Sequence, residues 1–187
     1  MSSDYAERLR EERSQKEQYF GNNPRSPIPA EQREDFPGLE YFPVDEDMRY
    51  VLTLHEHEEK DSITVETTTG SQREYLVWGE FRFEVNGEEV TLQAFKGDEH
   101  EDHLWVPFRD ETNGEETYGA GRYLDLEYGA DQVDSQWVLD FNEAYNPTCA
   151  YNEAYECPLI PTENWLDVPI EAGEKAYPGE TAGHEHY

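Results

Sequence analysis

The spacing of apolar positions changes character along the chain. Residues 3–20 contain neither Pro nor Gly and are rich in helix formers; Asp4 and Glu7 sit in a capping-box-like arrangement, and Gly21 ends the run. This predicts an amphipathic N-terminal helix within residues 1–21, with a thin stripe of Tyr5, Leu9 and Tyr19. Residues 22–47 carry Pro24, Pro27, Pro29, Pro37 and Pro43, which remove backbone donors and fix φ, so this stretch should be extended and irregular. It also holds Phe36, Leu39, Tyr41 and Phe42, which predict packing against a core and not a free linker.

From Met48 the period becomes two. Tyr50, Leu52 and Leu54 alternate with polar residues, as do Ile63, Val65 and Thr67, and then Leu104, Val106 and Phe108. Asn86-Gly87 is the preferred two-residue type I′ turn, and folding the chain there sets Phe83 opposite Val90 and Phe81 opposite Leu92. The register set by the turn agrees with that set by the alternation. Residues 122–128 and 136–141 read as further strands. About seven short strands with no helical run between them predict a mainly β fold over 48–175, an antiparallel β-sandwich or partly closed β-barrel, making one domain with the N-terminal α-helix. Residues 176–187 lack apolar spacing and should fray.

Composition sharpens this picture. The 187 residues include 44 Asp and Glu against 14 Lys and Arg, a formal charge of −30. Low hydrophobicity with high charge is also the signature of disorder, but 13% aromatic residues arranged in alternating runs oppose that reading. The acidic excess therefore belongs on the surface. Such a surface repels phosphate backbones and anionic lipid, so neither nucleic acid nor a membrane is expected as a partner. No window approaches the roughly 18 apolar residues of a spanning helix and no basic, apolar leader opens the chain, which points to a cytoplasmic protein. Self-repulsion on this scale is tolerable where salt screens it, the Debye length falling to about 3 Å near 1 M. The expected setting is a halophile cytoplasm, the alternatives being an acidic mesophilic protein or a nucleic-acid mimic.

Arg122 shares a strand face with Leu124, Leu126 and Tyr128, so the pleat turns its guanidinium inward, where it needs an anionic or carbonyl partner. That partner is either Asp110 or Asp140, in a structural ion pair, or the carboxylate or phosphate of a ligand gripped by the planar fork. Residues 140–164 form a long stretch with few charges, rich in Asn, Tyr and Pro, which is packed or functional. Its Asn side chains can equally serve the loop's own backbone. Cys149 and Cys157 are the two cysteines, expected to be buried, inert thiols. The histidines fall in pairs, His55 with His57, His100 with His103, and His184 with His186, among acidic residues, which reads as solvated surface and not as a metal site. No phosphate-cradling glycine loop, nucleophile elbow or zinc-protease helix is present, and no cofactor is implied.

With these residues laid out, the chain resembles the family of domain of unknown function 1684. The resemblance is carried by Val106-Pro107-Phe108-Arg109-Asp110, by the run from Thr117 to Leu124, by Leu139-Asp140-Phe141-Asn142 continuing through Ala144-Tyr145-Asn146-Pro147 to Cys149-Ala150-Tyr151, and by Cys157-Pro158-Leu159, Glu163-Asn164 and the run from Ile170 to Glu174. Ile160 stands where a second proline is usual and Trp165 where a basic residue is usual. The resemblance implies shared architecture and no particular activity. It places Arg109, Arg122, Asp140, Asn142 and both cysteines inside motif blocks and all six histidines outside them.

Three functions follow as expectations. The first is binding of a small polar or anionic molecule by Arg109, Arg122, Tyr123, Asp140, Asn142, Tyr145, Asn146 and Asn164. The second is hydrolase-type catalysis with Asp110 or Asp140 as base or Cys149 as nucleophile. The third is a structural or interaction protein built on a buried Arg–carboxylate network. The charge makes its own prediction: the melting temperature should rise along a KCl series, and a protein equally or more stable at low salt would rule out the halophile reading.

Overall fold

Two antiparallel sheets face each other in a computed structural model that describes residues 2–179 and 181. After the helix α1 (Ser2–Asn22) come β1 (Arg49–Leu52), β2 (His55–Glu56), β3 (Ser62–Glu66), β4 (Gln72–Val85), β5 (Glu88–Lys96), β6 (His103–Phe108), β7 (Arg122–Glu127), β8 (Gln132–Val133) and β9 (Gln136–Asp140). The larger sheet runs β2-β4-β5-β6-β7, with β3 also paired to β4, and the smaller runs β1-β9-β8. Neither sheet is closed, so the fold is a mainly β open sandwich with one N-terminal helix.

The hairpin register follows the turn: Phe83 pairs with Val90 and Phe81 with Leu92. Asn86 and Gly87 have φ of 51° and 84°, the two left-handed residues a type I′ turn requires. Alternate residues of the large sheet, Phe81, Leu92, Val106 and Leu124 among them, meet Trp137 and Leu139 from β9 and Phe141 from the turn after it. A C-terminal strap through Val168, Ile170 and Ala172 completes this core. The other face of the large sheet is covered too, by Phe95, Trp105, Tyr123 and Ile160, with Tyr75 stacked on Trp105 at 4.7 Å.

One gap in the large sheet has a chemical cause. β5 and β6 share a single register pair, Phe95 with Trp105, and two residues further along β6 stands Pro107, which has no N–H to offer a neighbour. Asn164 fills the gap. Its Nδ2 donates to Pro107 O (2.7 Å) and Gln93 O (2.9 Å), and its Oδ1 accepts from Gln93 N (2.8 Å), so a side-chain amide substitutes for a peptide group.

Three sequence expectations need correction. Tyr19 is 42% exposed while Phe20 is 7% exposed, because at 3.6 residues per turn Phe20 lies about 20° around the helix from Leu9 and Tyr19 about 80°. The inner face of α1 is Tyr5, Leu9, Arg13, Lys16 and Phe20. The nine strands outnumber the about seven read from periodicity, since β2 and β8 are two-residue pairings too short to show a period. The fraying assigned to residue 176 onward does not start there: Ala176 N donates to Glu116 O (3.0 Å), Tyr177 packs on Phe36 and Tyr151, and Thr181 Oγ1 donates to Ala150 O (2.8 Å). Residues 180 and 182–187, with His184 and His186, lie outside the described residues.

Gly121, which leads into β7 at φ +102°, sits where a Cβ would lie 2.3 Å from Ile160 Cδ1 and 2.6 Å from Phe108 O. Gly121→Ala should therefore cost about 2–4 kcal/mol of stability, through backbone strain and overpacking together. Denaturant unfolding at fixed KCl measures this; a loss below about 0.5 kcal/mol would contradict the close approach.

Candidate functional site

Arg122 opens β7 with its side chain on the core face, and it is 0% exposed. Its Nη1 donates to Ala172 O and to Glu174 O (3.2 Å), and its Nη2 donates to Ile170 O (2.8 Å) and to Asp110 Oδ1 (3.5 Å). The four Nη hydrogens thus have four acceptors, three of them carbonyls of the strap. The guanidinium also lies 5.1 Å over the Phe108 ring. Burial lowers the Arg122 pKa, and the neighbouring charges of Asp110 and Glu174 oppose that shift. Asp110 grips the same strap from its donor side, Oδ2 accepting from Ile170 N (2.7 Å) and from Thr112 Oγ1 (2.7 Å). The inward turn of Arg122 agrees with the pleat of its strand. Among the described residues, its Nη groups are saturated by the protein, while its Nε is buried without a hydrogen-bond partner in the closed core, where no cavity lies against it.

The other residues singled out in the sequence fall into separate places. Asp140 ends β9, caps the short 3-10 turn Phe141–Glu143 by accepting from Asn142 N (3.0 Å), and accepts from Tyr5 Oη. Asn142 donates to Asp45 O (2.7 Å) and accepts from Asp45 N (2.9 Å), a second side-chain amide standing in for a peptide. Asn146 donates through its backbone N–H to Glu174 Oε1 (3.0 Å) and through Nδ2 to Lys175 O (3.0 Å). Tyr123 donates to Pro158 O and Tyr145 to Asp125. Arg109 stacks at 4.4 Å over the exposed Trp165. Asp110 and Asp140 are buried and engaged with fixed donors, and Cys149 is buried beside Cys157, so neither carboxylate is arranged as a free base, and among the described residues no histidine is bonded to the thiol. Among the described residues, no group of three or more His, Cys, Asp or Glu could hold a metal, and no helix is long and apolar enough to cross a membrane.

Two of these residues, Asn142 and Tyr145, line a cavity of about 240 Å³ between α1 and the 141–145 turn. The helix contributes Leu9, Glu12, Arg13 and Lys16, and Tyr41 closes one side. Arg13 Nη1 donates to Phe42 O (3.0 Å) and Nη2 to Asn142 O (3.1 Å), and its guanidinium lies 4.5 Å over the Tyr41 ring. Arg13 Nε and Tyr41 Oη are buried and have no hydrogen-bond partner. Lys16 Nζ donates to Glu174 Oε1 (2.9 Å) and sits 5.4 Å from the Tyr145 ring. Glu174 is fully buried, with Oε2 accepting from Tyr151 Oη. Burial, then the charge of Glu174, raises the Tyr41 pKa, and burial lowers that of Arg13.

Glu143 faces this cavity with its pKa pushed up to about 7, by withdrawal from water and then by the charges of Asp140, Glu12 and Asp131. Its side chain keeps an outer face in solvent, so water screens part of the effect.

Sequence reasoning missed Arg13, Lys16, Tyr41, Glu143 and Glu174. One signal was available: Leu9, Arg13, Lys16 and Phe20 share a helix face at spacings of four, three and four, placing two of the chain's 14 basic residues on the side that packs inward. Because Glu143 ionises less readily in the folded chain than in the unfolded one, the folded state holds the extra proton between about pH 4.5 and 7, and this contribution to stability falls as pH rises through that window. Glu143→Gln should flatten that slope. Unfolding free energies near pH 5 and near pH 8 in the same KCl check it, and identical pH dependence in the two proteins would refute the assignment.

No curated protein matches the chain. Among solved structures, the solution NMR structure of an uncharacterised protein of Haloarcula marismortui is 39% identical, with a TM-score of 0.69, over 93% of this chain and 95% of that one. The family model described as a protein of unknown function, DUF1684, matches residues 34–175, which take in Tyr41, the 141–145 turn, both cysteines and the strap while leaving α1 outside. The chain belongs to the DUF1684 family.

Proposed function

We propose that the protein binds a small polar molecule through an anionic or other acceptor group, in the cavity between α1 and the 141–145 turn. The observation that carries this reading is the pair of buried donors, Arg13 Nε and Tyr41 Oη, left without partners on residues that stack on each other and line the same cavity. A buried donor left unsatisfied costs about 1–3 kcal/mol, which an acceptor brought by a ligand would recover. Lys16 adds positive charge beside them, while Glu12 and Glu143 favour a donor or cationic group at the other end of the ligand. The volume, about 240 Å³, lies below the roughly 300–1,000 Å³ of drug-sized sites and suits a compact molecule. Of the residues read from sequence as a binding set, this reading keeps Asn142 and Tyr145 as lining and gives Arg122, Asp140, Asn146 and Asn164 a supporting role. The expected working medium is a cytoplasm of high salt, where the −30 charge is screened. Phosphate backbones remain unsuited to such a surface.

A thermal-shift screen of small carboxylic acids, amino acids and phosphate in high KCl tests the reading. Tyr41→Phe removes the hydroxyl and keeps the ring over Arg13, and should weaken any hit about tenfold, the equivalent of about 1.4 kcal/mol. A panel without a hit, or a hit bound equally well by the variant, would overturn it.

A further inference from the structure

Cys149 and Cys157 lie apart from the cavity and take no part in the proposed binding. Both are free and buried, at 4% and 5% exposure. Cys149 sits in the short 3-10 turn Thr148–Ala150 that follows Pro147. The chain then makes an excursion through the exposed Glu153, Ala154, Tyr155 and Glu156 and returns at Cys157, which exchanges hydrogen bonds with Thr68: Cys157 N to Thr68 Oγ1 (3.2 Å) and Thr68 N to Cys157 O (3.0 Å). Both ends of the excursion are thereby fixed, and the Cys149 backbone N–H donates to the Cys157 sulfur, which brings the two cysteines together.

The two sulfurs have unlike surroundings. Cys157 Sγ accepts from Cys149 N (3.4 Å), lies 3.5 Å from Thr148 Oγ1, and faces the Cys149 thiol. Donors converging on one sulfur favour its thiolate. The Cys149 sulfur has Tyr118 Oη at 3.5 Å, but its bond to Cys157 and its burial outweigh that contact and keep its proton. The hydrogen bond from Cys149 lowers the Cys157 pKa, and the same bond together with burial raises that of Cys149.

We propose that these cysteines form a redox pair that a small hydroperoxide converts to a disulfide, Cys157 being the attacking sulfur and Cys149 the resolving one. The Cys157 thiolate attacks the terminal oxygen of the hydroperoxide; the O–O bond breaks, the alcohol or water leaves with a proton, and Cys157 becomes a sulfenic acid. The Cys149 sulfur then attacks Cys157, its proton passing to the departing hydroxide, so that an S–S bond forms and water leaves. Two sulfurs lose two electrons in total and the peroxide gains them. A resolving thiol already in contact with the sulfenic sulfur captures it before further oxidation.

Hydrogen peroxide is the probe, added in stoichiometric amount to the reduced full-length protein in KCl. The expected product is two hydrogens lighter by intact mass and yields a peptide pair linked through Cys149 and Cys157. A product that gains two or three oxygens without a link, or two thiols that stay titratable, would overturn the pair. Dimedone trapping in the unmodified protein reports the first sulfur oxidised without depending on the folding of any variant, and the adduct should fall on Cys157. In Cys149→Ser the Cys157 adduct should accumulate, and in Cys157→Ser labelling should be at least about tenfold slower. Labelling first on Cys149 would overturn the assignment of roles.

Discussion

The sandwich closes because one guanidinium is wrapped by backbone. Arg122 meets Ile170 O, Ala172 O and Glu174 O, and Asp110 receives Ile170 N, so one buried ion pair satisfies both the acceptors and a donor of a strap that is itself part of the apolar core. A fully buried charge is tolerable only with such a set of partners, and stripping either member from a pair of this kind typically costs about 3–5 kcal/mol. What Arg122 supplies is direction: Ile170 and Ala172 can face Phe108 and Leu124 only if the strap's polar groups have somewhere to go, and carbonyls aimed at a central cation provide it.

Neutral side chains do a comparable job elsewhere. Asn142 ties the 141–145 turn to Asp45, and Asn164 bridges β5 and β6 where Pro107 leaves the ladder open. Each uses the amide as a portable peptide group, with a donor and an acceptor matched to a neighbouring backbone. In a chain carrying −30, ties of this sort have a physical advantage over surface ion pairs, which are worth little individually and weaken as salt rises. The polar framework thus rests on neutral amides and on the buried carboxylates of Asp110, Asp140 and Glu174.

The parts of this architecture legible in the sequence are those in which two local signals coincide. The β4–β5 hairpin is one, because turn chemistry and alternation give the same register. The inward aim of Arg122 is another, since the pleat alone determines it; of the two partners nameable beforehand, Asp110 pairs with it, while Asp140 caps the turn at Asn142 instead. The three carbonyls that complete its shell lie about fifty residues away with no periodic relation to β7, so no local rule could place them. The cavity was hidden for the same reason: α1, Tyr41 and the 141–145 turn meet only after the sandwich has formed. Tyr19 misled because an aromatic residue near a helix end was read as part of a stripe that the helical angle assigns to Phe20. The cysteines showed a spacing compatible with contact, but the unequal hydrogen bonding that distinguishes them depends on Thr148, Tyr118 and a backbone N–H brought together by the turn.

Glu174 belongs to two systems at once. Its carbonyl contributes to the shell around Arg122, while its carboxylate receives Lys16, Tyr151 and the backbone of Asn146 behind the cavity wall. The residue that anchors Lys16 at the cavity is therefore also one that fastens the sandwich, and neither role can be altered there without the other. Leu9 and Glu12 carry no such double duty: a change at these helix positions alters what the cavity accommodates while the strap stays as it is.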